Sequence, residues 1–270
     1  MAMHARTGID AHCHLEYIEN MEEVAEQVRK RMLAAVCSVP NPKHVEQILE
    51  LRKKFSDCIF VCIGFHPEVA FDYTAKEIES HIEFIKSRRK EIVGIGENGL
   101  DYNWVKEKDK QERTKEIFIQ FIDLAKELHL PIIIHARNNP ESKLQDAFSD
   151  ILKILTDENA KDVVMHCFSG NEKTLEYALE QNYWISFATI IARSDKHKRL
   201  AKKTPIENML IETDSPWLDP DSPKGSLQLT NRPWKIERSA EIIAEIKGKT
   251  KEEILHITTE NAIKAFGLKL

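Results

Sequence analysis

Apolar residues along this chain gather into short runs at wide intervals, and the stretches between them carry a helical rhythm. Runs suited to buried parallel strands fall at Ile9, Ala34–Val39, 59–64, 92–95, 131–134, Val163–Met165, Trp184–Phe187 and Met209–Ile211. The clearest helical stretch covers 108–129, where Ile117, Phe118, Phe121, Ile122, Ala125 and Leu128 make one apolar stripe among lysines and glutamates. Asn41-Pro42 predicts another helix start, an Asn cap with Pro at the first position, whose stripe is Val45, Ile48, Leu49 and Leu51. Eight strand candidates, each followed by a helical segment, fit the α/β class. Two architectures alternate in this way: a (β/α)8 TIM barrel, which needs about 250 residues, and a doubly wound open sheet.

Polar residues at the ends of the runs decide between them. His12 and His14 stand in Ile9-Asp10-Ala11-His12-Cys13-His14, and Glu97 ends Ile92-Val93-Gly94-Ile95-Gly96-Glu97. His135 follows Pro131-Ile132-Ile133-Ile134, His166 follows Val163-Val164-Met165, and Asp214 ends Met209-Leu210-Ile211-Glu212-Thr213-Asp214. Four imidazoles and two carboxylates meeting at one point suit a pair of divalent cations. A closed barrel gathers its strand tips around one axis, whereas an open sheet spreads them at roughly 4.8 Å per strand. The expectation is therefore one TIM-barrel domain over residues 1–270, with 1–8 a disordered or tag-derived lead.

Composition narrows the setting. No apolar stretch approaches the ~20 residues of a membrane helix, and the N-terminus lacks the apolar core of a secretion signal. The five cysteines are odd in number and form no CxxC pair, and four lie in or beside apolar runs. Reduced, buried thiols in a cytoplasmic protein are expected. A net charge of −5 argues against a surface that coats nucleic acid broadly. It leaves room for a nucleic-acid enzyme whose positive charge comes from bound metal.

Strand alternation assigns provisional roles. His12 and His14 are two apart, so both face the same way as a chelating pair, and Asp10 on that face is placed to orient one imidazole. Gly94-Ile95-Gly96-Glu97-Asn98-Gly99 satisfies the dinucleotide pattern GxGxxG, but Leu100-Asp101-Tyr102-Asn103-Trp104 follows instead of an apolar-periodic helix. Its glycines are expected to let backbone and substrate approach Glu97, which would bridge two metals. Arg137 shares the face of His135 and suits an anionic substrate group. His66, in Gly64-Phe65-His66-Pro67, is expected at the substrate. Cys167 points away from His166 as a buried thiol. Asp214 would bind metal and accept a proton, with Glu212 deeper on the same face. Two divalent cations less Glu97, Asp214 and a bridging hydroxide leave roughly one positive charge, matching a phosphodiester and also able to polarise a carbonyl. The basic run 193–203 either guides a polynucleotide or is a solvated helix face, and 86–90 reads as surface away from the site. His4, His44, His81, His129, His197 and His256 receive no role.

Together these motifs resemble the TatD-type metal-dependent deoxyribonucleases, a branch of the amidohydrolase-like barrels. The resemblance runs from Asp10-Ala11-His12-Cys13-His14-Leu15 through Gly64-Phe65-His66-Pro67 and Gly96-Glu97-Asn98-Gly99-Leu100-Asp101-Tyr102. It continues in His135-Ala136-Arg137, His166-Cys167-Phe168-Ser169-Gly170, Glu212-Thr213-Asp214-Ser215-Pro216-Trp217-Leu218 and Asn261-Ala262. It implies one metal on His12, His14, Glu97 and Asp214, a second on Glu97, His135 and His166, and phosphate contacts from His66 and Arg137. It further implies hydrolysis of DNA phosphodiesters, often from single-stranded or 3′ ends, with catalysis centred on Asp214 and Glu97. The chain departs from the pattern at Asn98, usually apolar, at Trp217, commonly Tyr, and at Arg232 in Asn231-Arg232-Pro233, usually Glu. Four histidines favour Zn or Mn, while phosphoryl chemistry and a carboxylate bridge permit Mg. Two alternatives remain at this level: an ester or amide hydrolase such as a D-aminoacyl-tRNA deacylase, and a non-catalytic barrel scaffold.

Overall fold

Every apolar run becomes a parallel strand in the computed structural model, which describes residues 6–142, 146–223 and 228–270. The strands are β1 (Ile9–Cys13), β2 (Ala34–Val39), β3 (Ile59–Ile63), β4 (Gly94–Asp101), β5 (Ile132–Arg137), β6 (Val163–Met165), β7 (Trp184–Phe187) and β8 (Met209–Ile211). Between them run α1 (Met21–Arg31), α2 (Val45–Lys54), α3 (Pro67–Ala70), α4 (Ala75–Ser87), α5 (Lys108–Leu128), α6 (Ala147–Asp157), α7 (Glu172–Glu180) and α8 (Asp195–Lys203). After β8 come α9 (Ile236–Lys247) and α10 (Lys251–Phe266). The strands pair in chain order, β1 through β8, all parallel. No helix among the described residues is long and apolar enough to cross a membrane.

Strand alternation divides the core into two layers, as period-two side chains must. Ile9, Ala11, Ala34, Val36, Phe60, Cys62, Ile133, Val164 and Leu210 fill the barrel interior, joined by Ala262, Ala265 and Phe266 of α10. Their neighbours Ala35, Cys37, Val61, Ile63, Ile132, Ile134 and Ile211 face outward under the helix stripes, including Ile48, Phe118 and Phe121. The sequence expectation for α5 is met to within one residue, His129 closing it in the left-handed conformation at φ 50°. Asn41 caps as expected, accepting from the Lys43 N–H at 3.1 Å, but it caps a short 3₁₀ turn, and the α-helix begins at Val45. All five cysteines are free, and four are buried.

The barrel closes between β1 and β8 beyond the end of β8, on the rim where the polar run-ends lie. Asp214 N–H donates to the His12 carbonyl at 3.0 Å, and His14 N–H to the Ser215 carbonyl at 2.7 Å. The fully buried Asp10 carboxylate locks this seam, accepting from Thr213 N–H at 2.9 Å, Thr213 Oγ1 at 2.5 Å and His12 N–H at 3.2 Å. Asp10 therefore orients backbone at the seam; it does not orient an imidazole, as its position on the strand had suggested.

Residues 1–5 of the expected lead, His4 among them, lie outside the described residues. Gly8, at its other end, is buried, and its carbonyl accepts from Leu33 N–H at 3.0 Å.

Candidate metal centre

Glu97 sits in the middle of β4, not at its tip. The apolar signal stops at Ile95 because the next residues are Gly-Glu-Asn-Gly, yet the strand continues to Asp101. Pairing with β5 slips between Ile95 and Asn98, a bulge that re-aims the Glu97 side chain. The glycines serve this bulge. A Cβ on Gly99, at φ +142°, would lie 2.0 Å from the His135 carbonyl oxygen, and one on Gly96 would meet Ile133 at 2.6 Å. The room they leave is taken by β5, so their purpose is strand-to-strand approach, not the substrate access anticipated for them.

Around the buried Glu97 carboxylate stand five imidazoles. His166 Nε2 is 3.0 Å away, His14 Nε2 and His135 Nδ1 are each 3.4 Å away, and His12 Nε2 and His66 Nε2 are each 3.8 Å away. Asp214, just beyond β8 at φ 55°, places Oδ1 3.4 Å from His14 Nε2 and 3.9 Å from His12 Nε2. All six expected ligands thus converge. Three tight sets emerge: His12 with His14 and Glu97, His12 with His166 and Glu212, and His66 with Glu97 and His135. The last brings His66 as near Glu97 as His12 is. Its Nδ1, however, accepts from Glu68 N–H at 3.2 Å, so a neutral ring carries its proton on Nε2, the nitrogen facing the site. That nitrogen is a donor, suited to an anionic oxygen.

Three rings are fixed from behind by carboxylates. His14 Nδ1 lies 3.3 Å from Glu16, His135 Nε2 2.9 Å from Asp101 and His166 Nδ1 3.0 Å from Glu212. A carboxylate on the far nitrogen sets the tautomer and aims the near one, as around metal-binding histidines. Glu212 also accepts from Cys167 N–H at 2.7 Å and from the Ser186 hydroxyl. Asp101 further accepts the Asn103 and Trp104 N–H groups at 2.9 Å each. From the sequence Glu212 is expected at depth with no named partner, and Glu16 and Asp101 have no expected role. For Glu16 the available signal was its spacing of two from His14.

Electrostatics bear out the crowding. Burial alone would raise the Glu97 carboxyl, but the His166 and His66 rings hold it well below the usual range. Burial pulls His135 down, and Asp101 and Glu97 outweigh it, lifting the ring to about 9. His166 is likewise raised against burial by Glu212 and Glu97. His12, stacked on His166 with centroids 3.8 Å apart, is pushed down by burial and by that ring. Protonated imidazoles about an ionised carboxylate occupy the place of a cation, whose binding would displace those protons. Glu97 Oε2, although 3.0 Å from His166, has no partner in hydrogen-bonding direction among the described residues. An orphaned buried carboxylate oxygen among ring nitrogens fits a divalent ion.

The remaining expected residues separate clearly. Arg137 ends β5, exposed at the mouth, its guanidinium 5.9 Å over the Trp104 ring. Cys167 is the one cysteine only partly buried, short of the buried thiol expected. Desolvation still raises its thiol well above the ordinary value, so it stays protonated. Asn98 accepts from Phe65 N–H at 2.9 Å, bracing the turn that presents His66. Arg232 donates to the Leu229 and Asn231 carbonyls and lines a cavity of about 580 Å³ that shares Tyr17 with the mouth. In the basic run, Lys196 donates to the Ser169 carbonyl and Lys203 pairs with Glu172, while Arg199 and Lys202 are exposed. Lys86 and Arg88 in the other cluster pair with glutamates, as a surface role implies. His44, given no role, packs on Tyr17 at 5.4 Å.

Comparison with known proteins agrees with this geometry. The family model described as TatD related DNase matches residues 9–267. The chain is 36% identical over 267 residues to the Bacillus subtilis protein named "Uncharacterized metal-dependent hydrolase YabD", covering 95% of this chain and 98% of that one. It is 30% identical over 270 residues to human deoxyribonuclease TATDN3, covering 96% and 94%. Among solved structures, the TatD homologue YjjV of Escherichia coli K12 superposes with a TM-score of 0.84 at 23% identity, covering 97% and 98%, a likeness of fold. On sequence, fold and convergent side chains together, this chain belongs to the TatD-related DNase family.

Proposed function

We propose that this chain is a hydrolase of DNA phosphodiester bonds that works with two divalent cations. The observation that carries the reading is the Glu97 carboxylate ringed by imidazole nitrogens at 3.0 to 3.8 Å, three of the rings backed by carboxylates. In this reading His12, His14, Glu97 and Asp214 hold one ion, and Glu97, His135 and His166 the other. Bound there, the ions would supply Lewis acidity and a water acidic enough to attack phosphorus near neutral pH. Glu97 belongs to both ligand sets, and its negative charge would offset part of the charge of the ions. Asp214, only partly buried and facing His14, takes the proton released as a water oxygen bonds to phosphorus. The P–O bond to the sugar oxygen breaks, and that oxygen leaves as a hydroxyl once a proton is returned to it. His66 presents an N–H toward the site and donates to a non-bridging phosphate oxygen, and Arg137 at the mouth offers its planar fork to the same anion.

Cleavage of a labelled single-stranded oligonucleotide tests this directly. EDTA should stop it and Mn²⁺ or Mg²⁺ restore it. If stripped protein cleaves at the full rate, the metal-dependent mechanism is wrong. A D-aminoacyl-tRNA assayed beside the DNA separates phosphodiester from ester chemistry.

A further inference from the structure

Five large apolar side chains are exposed among the described residues: Tyr17 at 38%, Trp217 at 36%, Trp104 at 62%, Leu229 at 45% and Leu270 at 57%. Leu270 is the last residue of the chain. The other four all follow C-terminal strand ends, after β1, β4 and β8, so the exposed apolar surface gathers on the rim that carries the metal centre. Three of these four are aromatic, and they form two ledges.

One ledge abuts His14. Trp217 meets the His14 ring edge-on at 5.3 Å, Tyr17 meets Trp217 at 5.0 Å, and Tyr17 lies 6.2 Å from His14. The other lies at the ends of β4 and β5. Trp104 takes the Arg137 guanidinium over its face at 5.9 Å, and its backbone N–H donates at 2.9 Å to Asp101, which also fixes His135. His14 and His135 each lie 3.4 Å from Glu97, so both ledges border the Glu97 site. The first touches the proposed ligand His14 directly, and the second reaches His135 through Asp101.

Aromatic faces grouped at the rim of a site offer contact surface to a flat apolar occupant. Nucleobases are such occupants, and they stack on Trp, Tyr and Arg planes when they are not already covered within a duplex. We propose that the Tyr17–Trp217 and Trp104–Arg137 ledges are stacking subsites for unpaired nucleobases beside the phosphate held at Glu97. The assignment rests on the phosphodiester reading and adds to it the side chains on which the bases of the bound strand would stack.

The test is fluorescence anisotropy of labelled hexathymidylate, run in EDTA and again with Ca²⁺. A hexamer of the same sugar-phosphate backbone without bases and a paired duplex serve as comparisons. The wild-type protein should bind hexathymidylate at least about tenfold more tightly than the base-free chain or the duplex. Trp104→Ala, and Tyr17→Ala with Trp217→Ala, should each weaken hexathymidylate by about tenfold, with Trp104→Phe and Tyr17→Phe restoring most of it. Equal binding of the base-free chain would overturn the subsites. So would alanine variants that bind like wild type, or no binding in either condition. Hydrolysis of bis(p-nitrophenyl) phosphate by wild-type protein with Mn²⁺ reports separately on the metal-centre reading. Hydrolysis without base-dependent binding removes the ledges alone, and base-dependent binding without hydrolysis removes the diesterase reading alone.

Discussion

At the level of single residues, the centre depends on carboxylates that never face its middle. Glu212 is fully buried and holds His166 from β8, across the intervening strand β7. Glu212→Gln keeps the shape and removes the charge that fixes the ring, so metal affinity should fall about 10- to 100-fold. Competition with a chelator measures this, and unchanged affinity would remove Glu212 from the account. Asp219 lies nearby in the loop after β8. Burial alone would raise its carboxyl, but Lys235 and Thr230 outweigh burial and hold it at about 2. A depressed carboxyl stabilises the fold above its unfolded value near 4 and loses that contribution as pH falls toward 2. The urea midpoint of wild type should therefore exceed that of Asp219→Asn at pH 7, and the gap should narrow steadily below pH 4. A gap that does not change with pH would contradict the pairing.

At the level of elements, two joints position the centre: the β4 bulge and the β1–β8 seam. Gly99→Ala would push a Cβ to 2.0 Å from the His135 carbonyl in a left-handed backbone, forcing β4 and β5 apart. A loss of about 3 kcal/mol or more is expected, with metal content falling alongside it. Asp10→Ala strands three donors at the seam and should cost at least about 2 kcal/mol. Thermal unfolding with metal analysis checks both, and wild-type midpoints would show that the joints are incidental. The strands themselves were legible because branched apolar runs such as Ile132-Ile133-Ile134 have few other uses. So were the six converging polar residues, which follow or interrupt those runs. The extent of β4 was not legible, since glycines leave no apolar signature. The purpose of Asp10, Asp101 and Glu16 was hidden too, because each is defined by a partner brought near only when the barrel closes.

For the whole molecule, closing the sheet turns residues scattered from 12 to 214 into one charged cluster at one rim. On the same rim the side chains of Tyr17, Trp104 and Trp217 stay open to solvent. A net charge of −5 means that affinity for a polyanion must be local, drawn from the ions, Arg137 and the mouth. Cleavage should accordingly lose little on raising salt compared with a protein that coats nucleic acid, whose affinity drops steeply. The most direct measurement is cleavage of a labelled single strand by metal-stripped wild type and Glu97→Ala, titrated in parallel with Mn²⁺. The account predicts that wild type recovers and that Glu97→Ala stays at least about a hundredfold slower at every concentration. Equal recovery of the two proteins would contradict it.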